Sequence, residues 1–249
     1  VYKKYEHNKL TFSMAYFYSE NFLLPLSHDE VVHGKGTIIN KMWGDYDTKF
    51  ALLRNLYAYQ FAHPGKKLNF MGNELASFDE WNEQKSLPWE LLSFPKHDSI
   101  RRYLRDLNLI YRAHPAMEVE EHNPERFRWL MVDNRDQSVF AFQRIAGGED
   151  MIFVFNMTPN YYESYDIGAY EEGEYEEVLN SDKDVYGGGN QYNGAPCFSR
   201  AGGGPEGKPC HLTLKLAGYA AVMLRKKENR PSPAPKSGKA RKANAKKAK

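Results

Sequence analysis

Apolar positions along the chain change their period near residue 120. Before that point, short apolar runs alternate with stretches of helical period. Residues 21–27 (NFLLPLS) form a run of strand length, predicted to be buried. Pro25 lies inside it and predicts a bulge or an early strand end, because proline gives no N–H to a ladder. Over 47–63, Phe50, Leu53, Leu56, Tyr57 and Phe61 fall at offsets 0, 3, 6, 7 and 11, one face of a helix. Asp47 or Thr48 would cap it and Pro64-Gly65 would stop it. Residues 67–71 (KLNFM) read as a second strand ending at Gly72, followed by a long loop through Trp81, Trp89 and Pro95. Ile100, Leu104, Leu107 and Tyr111 predict a second helix over 99–112, ended by His114-Pro115. Strand–helix–strand–helix order implies a parallel sheet with crossover helices. Two such units cannot close a (β/α)₈ barrel, which alone takes about 250 residues. They read as the end of something longer.

After residue 120 short β-rich runs recur at 127–132, 138–144, 151–156, 161–167, 174–179, 211–216 and 219–225, many separated by Gly, Asn or Pro. They predict an antiparallel β-sandwich of about 100 residues. The Gly-rich stretch 187–207 is expected to be a long loop, and 226–249, rich in Lys, Ala, Pro and Ser, to be disordered. The expected domain boundaries are therefore 1–118, 119–225 and 226–249.

Charge sharpens that division. The net charge is +2, but residues 226–249 hold ten Lys/Arg against one Asp/Glu, so the rest of the chain carries −7. A mildly acidic folded part gives no indication of nucleic-acid binding. For the basic tail the expected reading is a solvated, dispensable segment, with electrostatic attachment to an anionic partner as the alternative. Cys197 and Cys210 form no C-x-x-C pair and are expected to be reduced thiols. No apolar run approaches the roughly 20 residues that span a bilayer, and no signal peptide is visible. The first residue is Val1 rather than methionine, which suggests a truncated or excised piece.

The densest chemistry is the string Ser27-His28-Asp29-Glu30-Val31-Val32-His33-Gly34-Lys35, directly after the first strand. In β/α barrels chemistry sits at the C-terminal ends of strands. A zinc site fits poorly, because His28 and His33 are five apart and two ligands on a helix need i, i+4 spacing. A phosphate loop fits poorly too, since Gly34-Lys35-Gly36 lacks the spacer. A polar strand end whose Asp and His cap loops remains open. The second candidate, Met71-Gly72-Asn73-Glu74, again follows a strand; Glu74 would act as acid, base or acceptor for a sugar hydroxyl, or would tie down its own loop. Asp79, Glu80 and Trp81 follow, and carboxylates beside an indole suit carbohydrate, although Trp81 serves equally well as packing.

The segment Asn21–Lys35 closely resembles the region after the seventh barrel strand of 1,4-α-glucan (glycogen) branching enzymes, members of the α-amylase superfamily. Pro64–Glu74 resembles their eighth-strand segment. Trp81-Asn82, Arg105-Asp106-Leu107-Asn108 and Tyr111-Arg112 follow in order, and the match runs to about residue 225. The string S-H-D-E-V-V-H-G-K is far more specific than a bare His-Asp. The resemblance implies an α/β plus all-β fold: the C-terminal end (last two β/α units) of a (β/α)₈ TIM barrel, then the antiparallel β-sandwich. It implies a retaining transglycosylase that cuts an α-1,4 linkage and passes the chain to a 6-hydroxyl. Retention takes a nucleophile and an acid/base carboxylate about 5 Å apart. In the family these follow the fourth and fifth strands, so both are expected to be absent here and the chain alone to be inactive. Asp29 matches the carboxylate that stabilises the transition state, and His28 the histidine that hydrogen-bonds the same sugar. Glu74 and Trp81 are the further substrate-binding candidates. The expected partner is α-glucan, with no cofactor, metal or membrane, in the cytoplasm. The alternatives are a non-catalytic glucan-binding module and a different amylase-type hydrolase.

Overall fold

The computed structural model describes residues 3–32 and 34–227. His33 and residues 228–249, nearly all of the expected disordered tail, lie outside the described residues. The chain opens with two short helices, α1 (Asn8–Thr11) and α2 (Ser13–Tyr16), and then follows the expected order: β1 (Leu23–Leu26), α3 (Tyr46–Ala62), β2 (Lys66–Asn69) and α4 (Pro95–Ala113). Strands β1 and β2 pair in parallel, with Leu23 opposite Lys66 and Leu26 opposite Asn69. Pro25 causes no bulge; it pairs in register with Leu68. The reason is that β1 has one hydrogen-bonded neighbour among the described strands, so half of its backbone donors are not needed in a ladder.

Helix α3 begins one residue before the expected cap. Asp45 is the cap, its carboxylate accepting the Thr48 N–H at 2.8 Å. Helix α4 begins at Pro95, four residues early, because proline's fixed φ suits the first helical turn. The short turn α5 (Pro115–Glu118) leads into the β region.

There, β3 (Phe127–Met131), β4 (Val139–Ala146), β5 (Glu149–Asn156), β6 (Tyr162–Ala169), β7 (Gly173–Asn180), β8 (Cys197–Gly204), β9 (Lys208–Leu216) and β10 (Ala221–Lys226) form one antiparallel sheet. Its order is β3-β4-β5-β10-β7-β8-β9-β6. The sheet folds over on itself: the two outermost strands, β3 and β6, come into contact, and the Glu206 carboxylate accepts the N–H groups of Val132 and Asp133. Strand β8 falls inside the stretch expected to be a loop. Its backbone pairs with both β7 and β9, and Cys197 and Ser199 point inward, so the ladder holds a glycine-rich segment whose side chains announce nothing.

Two cores result from the alternation along β4, β5 and β10. Val139, Ala141, Ile152, Val154, Val222 and Leu224 face the interior of the folded sheet. Phe140, Phe142, Phe153, Phe155, Ala221 and Met223 face the other way, against α3 and α4. These strands are therefore buried on both faces, which is why they read as nearly continuous apolar runs. From α3, Phe50, Leu53, Tyr57 and Phe61 complete the second core. Burial of each such side chain contributes about 1.5–3 kcal/mol. Asn55 donates to the Asn156 carbonyl at 3.0 Å and Arg144 to the Ala62 carbonyl at 3.1 Å, so polar bonds cross the same seam.

A buried charge cluster closes the seam at the base of β2. Glu121, with only 1% of its side chain exposed, lies 3.0 Å from Lys66, 3.4 Å from Lys67 and 3.9 Å from Arg144, and accepts the Tyr111 hydroxyl at 3.2 Å. Burial pulls the Lys67 ammonium down to about 7 against the upward pull of Glu121, and lowers the Arg144 guanidinium to about 10. Burial also holds the neighbouring His63 imidazole at about 4. Its Nδ1 lies 2.7 Å from the Pro64 carbonyl, which can only accept, so Nδ1 carries the proton and Nε2 accepts from Ser13 at 3.0 Å.

Candidate active site

Because β1 and β2 run in parallel, the loops after them emerge on one side. β1 feeds a single helical turn, His28–Glu30. β2 feeds a second one, Asn73–Leu75, through Phe70, Met71 and Gly72. The second turn braces the first. The Asn73 amide donates to the Leu26 carbonyl at 3.2 Å, and the Phe70 N–H donates to the same carbonyl at 2.9 Å. Each helix then holds the second turn from behind. The Tyr57 hydroxyl donates to the Asn73 carbonyl at 2.9 Å and His97 Nδ1 to the Leu75 carbonyl at 2.7 Å. Full burial lifts the Tyr57 phenol far above its ordinary range, so it remains a donor at every physiological pH.

The four residues singled out in the sequence are treated differently by the fold. His28 and Asp29 are exposed, 58% and 68% by side chain, with Nε2 and Oδ1 3.5 Å apart. The His28 ring lies 5.9 Å from Phe70, and Phe70 meets Trp81 edge-on at 5.2 Å. His28, with Asp29 beside it, and Trp81 thus meet at an aromatic that the sequence analysis counts only as part of the second strand and that the structure places just beyond the end of β2. Glu74 turns back on its own loop, Oε2 accepting the Gly72 N–H at 2.8 Å. This matches the loop-tying alternative for that residue.

Between the two loops is a cavity of about 440 Å³. Val31 and Thr37–Ile39 wall it from the first loop, Met71–Asn73 and Asp79–Trp81 from the second, and Lys85–Pro88 from beyond. His28, Asp29 and Glu74 do not line it. The assembly offers a flat indole, an exposed carboxylate beside an imidazole, and a mainly polar hollow, a combination that can stack against and hydrogen-bond a polyhydroxylated ring. Among the described residues no three His, Cys, Asp or Glu converge as metal ligands, and no helix is long and apolar enough to cross a membrane.

Residues 129–227, which hold most of the β region, match the family described as alpha amylase, C-terminal all-beta domain. Across the wider chain the similarity is to 1,4-alpha-glucan branching enzymes named GlgB. One from Shewanella sp. (strain MR-7) is 50% identical over 78% of this chain and 26% of its own length. One from Rhizobium etli is 49% identical over 90% of this chain and 30% of its own. One from Oceanobacillus iheyensis is 48% identical over 90% and 35%. The chain thus spans about a quarter to a third of the length of the curated relatives it matches. Two solved structures share the fold: Eubacterium rectale Amy13B (TM-score 0.53, 14% identity, 91% of this chain and 44% of that one) and a Nostoc punctiforme debranching enzyme (TM-score 0.50, 16%, 81% and 34%).

Proposed function

We propose that the chain is part of a retaining 1,4-α-glucan branching enzyme, comprising the last two β/α units of its catalytic (β/α)₈ barrel (residues 1–118) and its C-terminal sandwich (119–225). The observation that carries the proposal is the turn His28–Glu30, set at the C-terminal end of β1 and braced by the turn at the end of parallel β2, in a chain half identical to branching enzymes. In this reading Asp29 binds the hydroxyls of the sugar at the cleavage point and favours its oxocarbenium-like transition state, His28 hydrogen-bonds the same sugar, and Trp81 stacks on an adjacent ring. Glu74 acts by shaping the second turn, since its carboxylate is engaged with Gly72. Both Asp29 and His28 work by position and charge rather than by bond-making. The nucleophile and the acid/base belong to the remainder of the enzyme, the substrate is α-glucan, and the enzyme acts in the cytoplasm without metal or cofactor.

The test has two arms. The isolated chain incubated with amylose should leave iodine colour unchanged; loss of colour would refute the division of the catalytic set. In the full-length product of the gene that encodes these residues, Asp29→Asn should lower turnover by roughly 10²-fold or more. Near-normal turnover would remove Asp29 from the assigned role.

A further inference from the structure

The loop that follows Asp29 is held by a single carboxylate from the neighbouring loop. The Gly34 N–H donates to Glu80 Oε2 at 2.9 Å, and the Gly36 N–H donates to Glu80 Oε1 at 2.6 Å. Both glycines are left-handed, with φ of +82° and +72°, where an L side chain is strained. That backbone turns alternate N–H groups toward one point, an anion-holding geometry usually filled by a ligand. Here the chain fills it with its own Glu80. The ties continue on either side: the Trp81 N–H donates to the Val31 carbonyl at 3.0 Å, and the Asn40 amide donates to the Phe78 carbonyl at 2.7 Å. Among the described residues Asp29 has no such tie. Its one ion-pair contact among the described residues is the 3.5 Å approach of His28. The position of its carboxylate is therefore set by the backbone that carries it.

We propose that Glu80 is a positioning residue for Asp29: through the amides of Gly34 and Gly36 it fixes the loop that presents the Asp29 carboxylate to the glucan. This rests on the role of Asp29 proposed above. Charge-assisted bonds to two N–H groups are stronger and more directional than neutral ones. Glutamine cannot replace them, because its NH₂ would meet one of the two N–H donors. Aspartate is one methylene short. A displacement of about 1 Å at a reacting centre costs roughly 10²-fold in rate.

Two measurements test this. In the full-length gene product acting on amylose, Glu80→Gln should lower kcat by roughly 10- to 100-fold with KM within about threefold. In the chain described here, the same variant should speed amide exchange at Gly34 and Gly36 by about tenfold or more, with Phe153 and Val154 in β5 unchanged. Unchanged kcat with released amides overturns the proposal while leaving the function intact. A rise in KM alone overturns it in favour of direct glucan contact, since Glu80 also lines the cavity. Faster exchange throughout β5 would make Glu80 a merely structural residue and overturns it as well. A wild-type product that fails to branch amylose overturns the parent function, and the exchange arm then judges the clamp alone.

Discussion

Replacing Glu121 by glutamine should destabilise the protein, and by more at pH 6 than at pH 8. The carboxylate is nearly inaccessible and faces Lys66, Lys67, Arg144 and the Tyr111 hydroxyl within 3.0–3.9 Å. Breaking a buried ion pair by removing one partner costs about 3–5 kcal/mol, because the other charge is left uncompensated. Arg144 cannot relieve that cost by losing its proton at neutral pH. Lys67 can: in the native protein its ammonium already titrates at about 7, held up by Glu121 against burial. Its folded pKa is below the unfolded one, so stability rises with pH between the two and is flat below the folded value. Without Glu121 the folded value falls further, and the rising limb extends below pH 7. The penalty should therefore grow by up to about 1.4 kcal/mol for each pH unit below 7. Urea unfolding followed by tryptophan fluorescence and circular dichroism at pH 6, 7 and 8 measures both quantities. Adding Lys67→Met should recover much of the loss and abolish the extra pH slope, since a neutral side chain of similar length has no charge to compensate. A penalty below about 1 kcal/mol, or one with the wild-type pH slope, would refute the reasoning.

The remaining predictions concern other buried side chains. The buried His63 titrates at about 4, so wild-type stability should fall as pH drops from about 6.5 to 4, where the unfolded chain takes up a proton that the folded one refuses; His63→Gln should flatten that part of the urea-midpoint profile. Phe142, whose ring lies within 5.0–5.7 Å of Phe127, Trp129, Phe153 and Phe155, should cost about 3–5 kcal/mol as Phe142→Ala. Phe142→Leu should cost about 1–1.5 kcal/mol, the aromatic pairing alone, by the same denaturation assay. Burial pushes the Cys197 thiol up to about 11, so iodoacetamide at pH 8 should label it at least about 10²-fold more slowly in native protein than in urea, read by peptide mass spectrometry.

The parts of the fold that local pattern controls were legible. Five apolar residues on one face gave α3, and two short apolar runs gave β1 and β2. What was missed depended on partners far away in sequence. Strand β8 is a strand because β7 and β9 flank it, and nothing in a run of glycines encodes that. Asp45 caps α3 because the chain turns there, whereas Asp47 and Thr48 looked equally suitable. At the site, the motif was visible but its support was not. Phe70 joins His28 to Trp81 only once two loops lie side by side, and Glu80, read as a hydroxyl-gripping carboxylate, meets amides 44 and 46 positions away.

The outward faces of β4, β5 and β10 bear on how such a domain moves between genes. A recombination point near residue 119 would separate the sandwich from α3 and α4 at a line that composition makes look natural. Phe140, Phe142, Phe153, Phe155 and Met223 would then face water together as one sticky patch, with Arg144 losing the carbonyl of Ala62. The unit of inheritance that keeps its solubility is therefore the sandwich together with the helix that covers it, and the lineage of the β domain should track that of the helical segment it seals.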